Sequence, residues 1–296
     1  MKVLWDMETG DPDDFLTLLM LLGHPRVELL GVTVTPGTPD QIGVVRAALS
    51  WFGRQALPVG AFDLDYRPRK PLATGQRGVC VSSWHYDAYG ELPASSDAVP
   101  APELLRALCG PDVTLVTGGP LKNLGAALKL DGFTLGHLVV QGGFAGEGVV
   151  PKEKQLAKFA GLVTCPTYNL NGDPASALAV IASKQIGSKR FVSKNVCHGV
   201  VYDQAMHERF GAVRAHSRSL DLIWKGMETY LARGSGKAFH DPLAACCAID
   251  PSIATWAEVE LYREKGEWGS RLSPGSGLEI ITDHDHEKFV SVLTEH

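Results

Sequence analysis

Five carboxylates fall within nine residues near the start of the chain: Asp6, Glu8, Asp11, Asp13 and Asp14, in Asp6-Met7-Glu8-Thr9-Gly10-Asp11-Pro12-Asp13-Asp14. Carboxylates crowded this closely repel one another, which is hard to sustain without a cation. Hard oxygen donors of this kind suit Ca²⁺ or Mg²⁺. Part of the cluster has a simpler explanation. Asp11 before Pro12 reads as a helix N-cap followed by a first-turn proline, with Asp13 and Asp14 complementing the helix dipole. That reading leaves Asp6 and Glu8, which precede the helix, without a reason. An EF-hand loop fits worse. Counted from Asp6, the glycine it requires at position six is Asp11 and its closing glutamate is Thr17.

Two other groups carry chemistry. His240-Asp241-Pro242 again sets an acid before a helix-starting proline, now behind a histidine. Asp173-Pro174 and Asp250-Pro251 repeat the device, so Asp241 taken alone reads more readily as a cap than as a ligand. The third group is Val116-Thr117-Gly118-Gly119-Pro120-Leu121-Lys122-Asn123, whose glycines let backbone turn tightly or approach a ligand.

The elements that must position these groups alternate short β-branched runs with apolar stretches of helical period. That alternation predicts an α/β fold: an open, mostly parallel, Rossmann-like sheet with helices on both faces. Strands are expected at Lys2–Trp5, Val27–Val34, Val113–Thr117, His137–Val140 and Arg190–Val192. Helices are expected from about Pro12 to Leu22, Asp40 to Phe52, Leu121 to Leu128, Pro174 to Ile181, Leu220 to Leu231, and from Pro242 to Ala248. The acidic cluster then sits at the carboxyl end of the first strand, where ligands of open α/β sheets bind. Residues 63–100, rich in Pro, Gly, Ser and aromatics, read as a long irregular excursion from a single domain spanning 1–296.

Composition narrows the function. The chain has 296 residues and is 45% hydrophobic, enough for a large core without a metal or disulfide to hold it. Its formal charge of −5 argues against a nucleic-acid partner. Phe15–Gly23 is too short to cross a bilayer, and no apolar run follows a basic start, so neither a membrane span nor a secretory signal is expected. The six cysteines show no CxxC spacing and read as small core residues in a reducing compartment, the cytoplasm.

Taken together, the motifs resemble those of the inosine-uridine-preferring nucleoside hydrolases. That family opens with D-x-D-P-G-x-D-D after its first strand, carries a T-G-G-x-x-N turn mid-chain and ends its site with H-D-P. Its M-G-G-type turn is matched by Gln141-Gly142-Gly143, and its E-F-N-x-x-x-D-P segment by Thr167-Tyr168-Asn169-Leu170-Asn171-Gly172-Asp173-Pro174. All five occur in order across nearly the whole chain. The resemblance implies hydrolysis of the N-glycosidic bond of a small-molecule ribonucleoside by an enzyme holding one Ca²⁺ (Mg²⁺ being second choice), assembled as a homodimer or homotetramer.

Carried over by position, Glu8, Asp14, Asp241 and the Thr117 carbonyl match the metal ligands, with Asp6 nearby. Asp13 and Asn169 match ribose-binding residues, and His240 a histidine beside the leaving base. His85, in Trp84-His85-Tyr86-Asp87, is the match for a further site histidine, and Thr38 falls near a ribose-binding asparagine. Tyr230 and Trp224, in the helix before His240, are candidates to stack on the base, or equally to pack that helix. The roles are chemically coherent. Cleaving an N-riboside builds positive charge on the sugar, and a cation chelating the 2′ and 3′ hydroxyls fixes the ring. A carboxylate that takes a proton from the attacking water contributes roughly 10²–10⁴-fold.

This chain departs from the family pattern in ways that bear on its substrate. The acidic motif is one residue longer, and Glu8 stands where an aspartate serves as ligand and general base; the base is therefore Glu8 or, if the insertion has moved it, Asp11. Pro120 is inserted in the Thr-Gly-Gly turn, and Thr167 replaces a glutamate that grips the sugar's 5′ end. A modified nucleoside, such as one of the 7-deazaguanine type, is an alternative substrate. Two rival functions are a nucleoside or sugar binder without turnover and, from Asp6-x-Glu8 at a strand end, a phosphatase of the haloacid dehalogenase type.

Overall fold

Residues 1–66, 72 and 77–296 are described in this computed structural model, and they contain thirteen strands. These are β1 (Lys2–Met7), β2 (Glu28–Val34), β3 (Val59–Ala61), β4 (Val99–Pro100), β5 (Val113–Thr117), β6 (Leu135–Gln141) and β7 (Thr164–Cys165). They continue with β8 (Ile186–Val192), β9 (Val201–Tyr202), β10 (Lys237–Ala238), β11 (Ala254–Glu264), β12 (Glu267–Leu272) and β13 (Leu278–His284). Eleven form one sheet in the order β4-β3-β2-β1-β5-β6-β8-β13-β11-β12-β7; β9 and β10 pair separately. From β4 through to β13 neighbouring strands run parallel, and the last three join antiparallel. The mostly parallel sheet expected from the sequence is the one found.

Alternate residues of β1 enter the two apolar layers on opposite faces of the sheet. Val3, Trp5 and Met7 join one, together with the helices Pro12–Gly23, Pro39–Trp51 and His240–Ile249; Leu4 joins the other. Both layers are closed to water, which is why the parallel strands read as unbroken apolar runs. Among the described residues, no helix is long and apolar enough to cross a membrane.

Three differences from the expected elements matter. The helix expected from Pro242 begins at His240, so His240 and Asp241 lie in its first turn. The antiparallel extension β11–β13 was not foreseen, although Lys265 and Gly266, both at positive φ, make the two-residue turn between β11 and β12. The 63–100 excursion is also less irregular than its composition suggests. Residues 67–71 and 73–76 of it lie outside the described residues, but Ser83–Tyr89 is helical. That helix is anchored where Trp84 Nε1 donates to the Gly226 carbonyl at 2.8 Å and the Tyr89 hydroxyl to that of Leu222 at 2.9 Å.

Candidate active site

From β1 the chain builds outward through β2, β3 and β4; from β5 it builds the other way through β6 and β8. Loops leaving the two neighbours at such a switch point part and open a crevice at the carboxyl ends of the strands. A cavity of about 540 Å³ lies there. Its wall takes one residue from just past each of four strands: Glu8 after β1, Gly118 after β5, Gly142 after β6 and Lys194 after β8. Asp11, Asp13, Asp14, His240 and Asp241 complete its acidic side.

These carboxylates are held differently. Asp11 occupies the N-cap position of the helix Pro12–Gly23 but makes no side-chain cap bond. Its Oδ2 lies 3.2 Å from Lys237 Nζ instead. Asp13 pairs with the same ammonium at 2.9 Å through Oδ1. Its Oδ2 accepts from the backbone amides of His240 and Asp241 at 3.1 and 3.3 Å. Asp13 thus caps the helix His240–Ile249 from another part of the chain, where its negative charge also complements the helix dipole. Lys237 is almost wholly buried. Burial by itself favours the neutral amine, but the charges of Asp13 and Asp11 outweigh it and hold the ammonium above its usual range.

Asp14 and Asp241 have no such cation. Asp14 Oδ1 accepts from the Glu8 amide at 3.0 Å, while no donor among the described residues reaches the Asp241 carboxylate. Burial holds Asp14 well above the usual carboxylate range, and repulsion from Asp241, Glu8 and Asp13 adds to it. Asp241 is raised in the same way, by burial and then by Asp13. Burial, with the charges of Asp11 and Asp13, pushes the Glu8 carboxyl up to about 7.

The donor set fits a hard divalent ion. Oxygens of Asp13, Asp14 and Asp241 all lie within 4.8 Å of one another. Ligands on opposite sides of a Ca²⁺ stand about 5 Å apart, so one ion spans the three. Within the trio Asp13 already spends its oxygens on Lys237 and two amides, and Glu8, expected among the ligands, lines the cavity outside the trio. Gly118 is required here, because a Cβ on it would stand 2.9 Å from the Asp241 carboxyl carbon and 2.5 Å from the Trp5 ring. Thr117, its neighbour, is buried at the end of β5.

On the remaining wall, Asn169 commits its Nδ2 to the Gly118 and Gln141 carbonyls and to Gln141 Oε1, which leaves its own Oδ1 to accept. Thr167 is buried in the wall with its hydroxyl unpartnered. The rings of His240 and His198 lie 4.4 Å apart. Burial lowers His240 against the pull of Asp13, and burial with the neighbouring His240 pushes His198 down to about 3. Both are neutral at neutral pH. Asp6 lies behind the cavity, where its Oδ1 accepts from Thr33 and Asn123 at 2.7 Å each.

Besides Asp6 and Thr117, four expected site residues do not line the cavity. Thr38 caps the helix Pro39–Trp51, accepting from the Gln41 amide, and donates to the Val79 carbonyl. His85 is fully buried against the Phe15 ring. Trp224 stacks on His207 at 4.6 Å, beneath the Arg214 guanidinium. Tyr230 packs against the core layer that contains β1's Trp5. Conversely, sequence reasoning missed Lys237, His198 and Lys194. Of these Lys237 alone had a local signal, lying three residues before His240.

Residues 3–291 match the family described as inosine-uridine preferring nucleoside hydrolase. The chain belongs to that family. A probable uridine nucleosidase of Arabidopsis thaliana is 25% identical over 87% of this nucleoside hydrolase and 80% of its own length. A plant nucleoside hydrolase superimposes with a TM-score of 0.71 at 20% identity, covering 99% of this chain and 97% of the other. The inosine-uridine preferring enzyme of Bacillus anthracis does so with 0.71 at 19% identity, covering 99% and 98%. The haloacid dehalogenase alternative falls with this assignment.

Proposed function

We propose that this nucleoside hydrolase is a Ca²⁺-dependent N-ribohydrolase that cleaves a ribonucleoside to free base and ribose. The observation that carries the proposal is the buried carboxylate trio at the switch point, with the unengaged Glu8 on the same cavity. Asp14 and Asp241, which keep oxygens free of protein donors, would hold the ion, with the Thr117 carbonyl beside them. When bound, a divalent ion acidifies water and orients the ribose diol.

The chain's own groups do the rest. Glu8 accepts the proton of the attacking water, since no donor among the described residues holds its carboxylate and that carboxyl is pushed up to about 7, in the range that suits a general base at neutral pH. Asp11 is the poorer base because Lys237 holds its oxygen. Asn169 Oδ1 and Asp13 accept from ribose hydroxyls. Neutral His240, backed by His198, donates a hydrogen bond to the departing base. Thr167 leaves the sugar's far end without a long acid, which favours substrates altered at that end; inosine, uridine and a 7-deazaguanine nucleoside make up the panel that tests the base. The test is release of reducing sugar from that panel, with and without chelator. Turnover that survives exhaustive chelation overturns the metal's role, and binding without turnover overturns hydrolysis.

A further inference from the structure

A second cavity, of about 730 Å³, opens beside the first, and Glu8, Thr167, Tyr168 and Lys194 line both. It extends away from His240, His198 and Asp241, which line the first cavity but not the second. Its polar groups are mainly donors. Lys194 Nζ spends one hydrogen on the Pro166 carbonyl at 2.8 Å. Lys122 Nζ lies 5.9 Å from the Phe62 ring centroid. Among the described residues, neither ammonium has an acidic partner within ion-pair distance. Asn171 Oδ1 accepts from Trp268 Nε1 at 2.8 Å, and no acceptor among the described residues takes its Nδ2. The Thr167 hydroxyl, on a residue 3% exposed, is also unpartnered. Lys158 turns to His198 instead and lines neither cavity.

We infer that the second cavity is a phosphate subsite, and that the substrate is a ribonucleoside 5′-monophosphate held through its phosphate between Lys122 and Lys194. The inference rests on the N-ribohydrolase reading for its orientation. A ribose whose diol meets the acidic trio and whose base meets His240 must point C5′ away from His240, toward the second cavity. A phosphate there offers three acceptor oxygens to two ammonium groups, an amide and a hydroxyl, a charge-assisted match. Glu8 is the one carboxylate lining that cavity, and an ion bound by Asp14 and Asp241 offsets its charge. The reaction balances as hydrolysis: water's oxygen bonds to C1′ as the C1′–N bond breaks. One proton passes through Glu8, the base leaves protonated, and ribose 5-phosphate remains.

The test compares kcat/KM for inosine and uridine 5′-monophosphates with those for inosine and uridine in Ca²⁺ buffer. We expect the monophosphates to be preferred by about tenfold or more, as for two charge-assisted contacts. Lys194→Ala and Lys122→Ala should each lower that ratio severalfold. Titration calorimetry should show ribose 5-phosphate binding more tightly than ribose, with the difference lost in Lys194→Ala. A ratio at or below one, or a preference unchanged in both variants, overturns the subsite while leaving nucleoside hydrolysis intact. Inhibition by inorganic phosphate without a monophosphate preference overturns it too. Lys194-dependent binding of ribose 5-phosphate with no turnover of either class keeps the subsite and overturns the hydrolase reading.

Discussion

The acidic cluster has two halves that differ in how their charge is answered. Asp11 and Asp13 share the buried ammonium of Lys237. Asp14 and Asp241, buried like Asp13 whereas Asp11 is exposed, have no cation of their own among the described residues and are held well above the usual carboxylate range. In the first half one ammonium answers two carboxylates, so a single negative charge is left over and the geometry is fixed from within the chain. The second half is balanced only when protons or a metal ion are added. A fold that can bury a lysine beside two aspartates, yet leaves the next two without one, keeps that place for something from solution.

The comparison breaks first at Asp14. Asp14→Ala should abolish both Ca²⁺-dependent stabilisation and hydrolysis, while the two apolar layers keep the chain folded. Circular dichroism with an activity assay checks this, and an active Asp14→Ala protein would refute the metal site. Next comes the base. Glu8→Gln should lower kcat by roughly 10² or more with little change in binding, because it keeps the size and removes the basic oxygen. Asp11→Asn should cost far less in kcat. The reverse order would place the base on Asp11, freed from Lys237 during turnover.

Lys237→Met probes the first half. Removing Lys237 strands the buried carboxylate of Asp13, a loss of about 3–5 kcal/mol, while the exposed Asp11 adds little. Urea unfolding should show that loss with or without Ca²⁺, and an unchanged midpoint would mean that Asp11 and Asp13 find another partner. The smallest effect concerns pH. Asp6 and Glu8 are raised to about 6 and about 7, chiefly by burial. Between the ordinary carboxylate range and pH 7 the metal-free native state therefore holds more protons than the unfolded chain. Its stability falls as pH rises through that window. The melting temperature without metal should be lower at pH 8 than at pH 5.5, and the increase on adding Ca²⁺ should be larger at pH 8. A Ca²⁺ increment independent of pH would show that these carboxylates do not exchange protons for the ion.

Much of this was legible in the sequence because strands and carboxylates announce themselves locally. The buried parallel strands are apolar runs, and the acids at their ends form short motifs. What the motif could not show was which acid meets which partner. Asp11 looked like a helix cap and proved to be an ion-pair partner; Asp13 looked like a dipole charge and proved to be the cap of a distant helix. Both depend on Lys237 and on amides more than two hundred residues away. Trp224 and Tyr230 failed for a related reason: residues near a motif in sequence sit on a helix whose facing direction only packing decides. β8 was foreshortened to Arg190–Val192 because Gly187, Ser188 and Lys189 break the apolar pattern.

The bonds from Asp13 to the amides of His240 and Asp241 close a loop of 227 and 228 residues. Contacts of such separation are made late, because the chain between them must first be ordered. During synthesis the carboxylate trio has no existence until Asp241 has left the ribosome, and by then most of the sheet has been made. The first helix waits for its counterpart with its acids uncompensated. An amino-terminal fragment is consequently no partial enzyme, and a nick between the two helices separates the halves of the centre rather than trimming its edge.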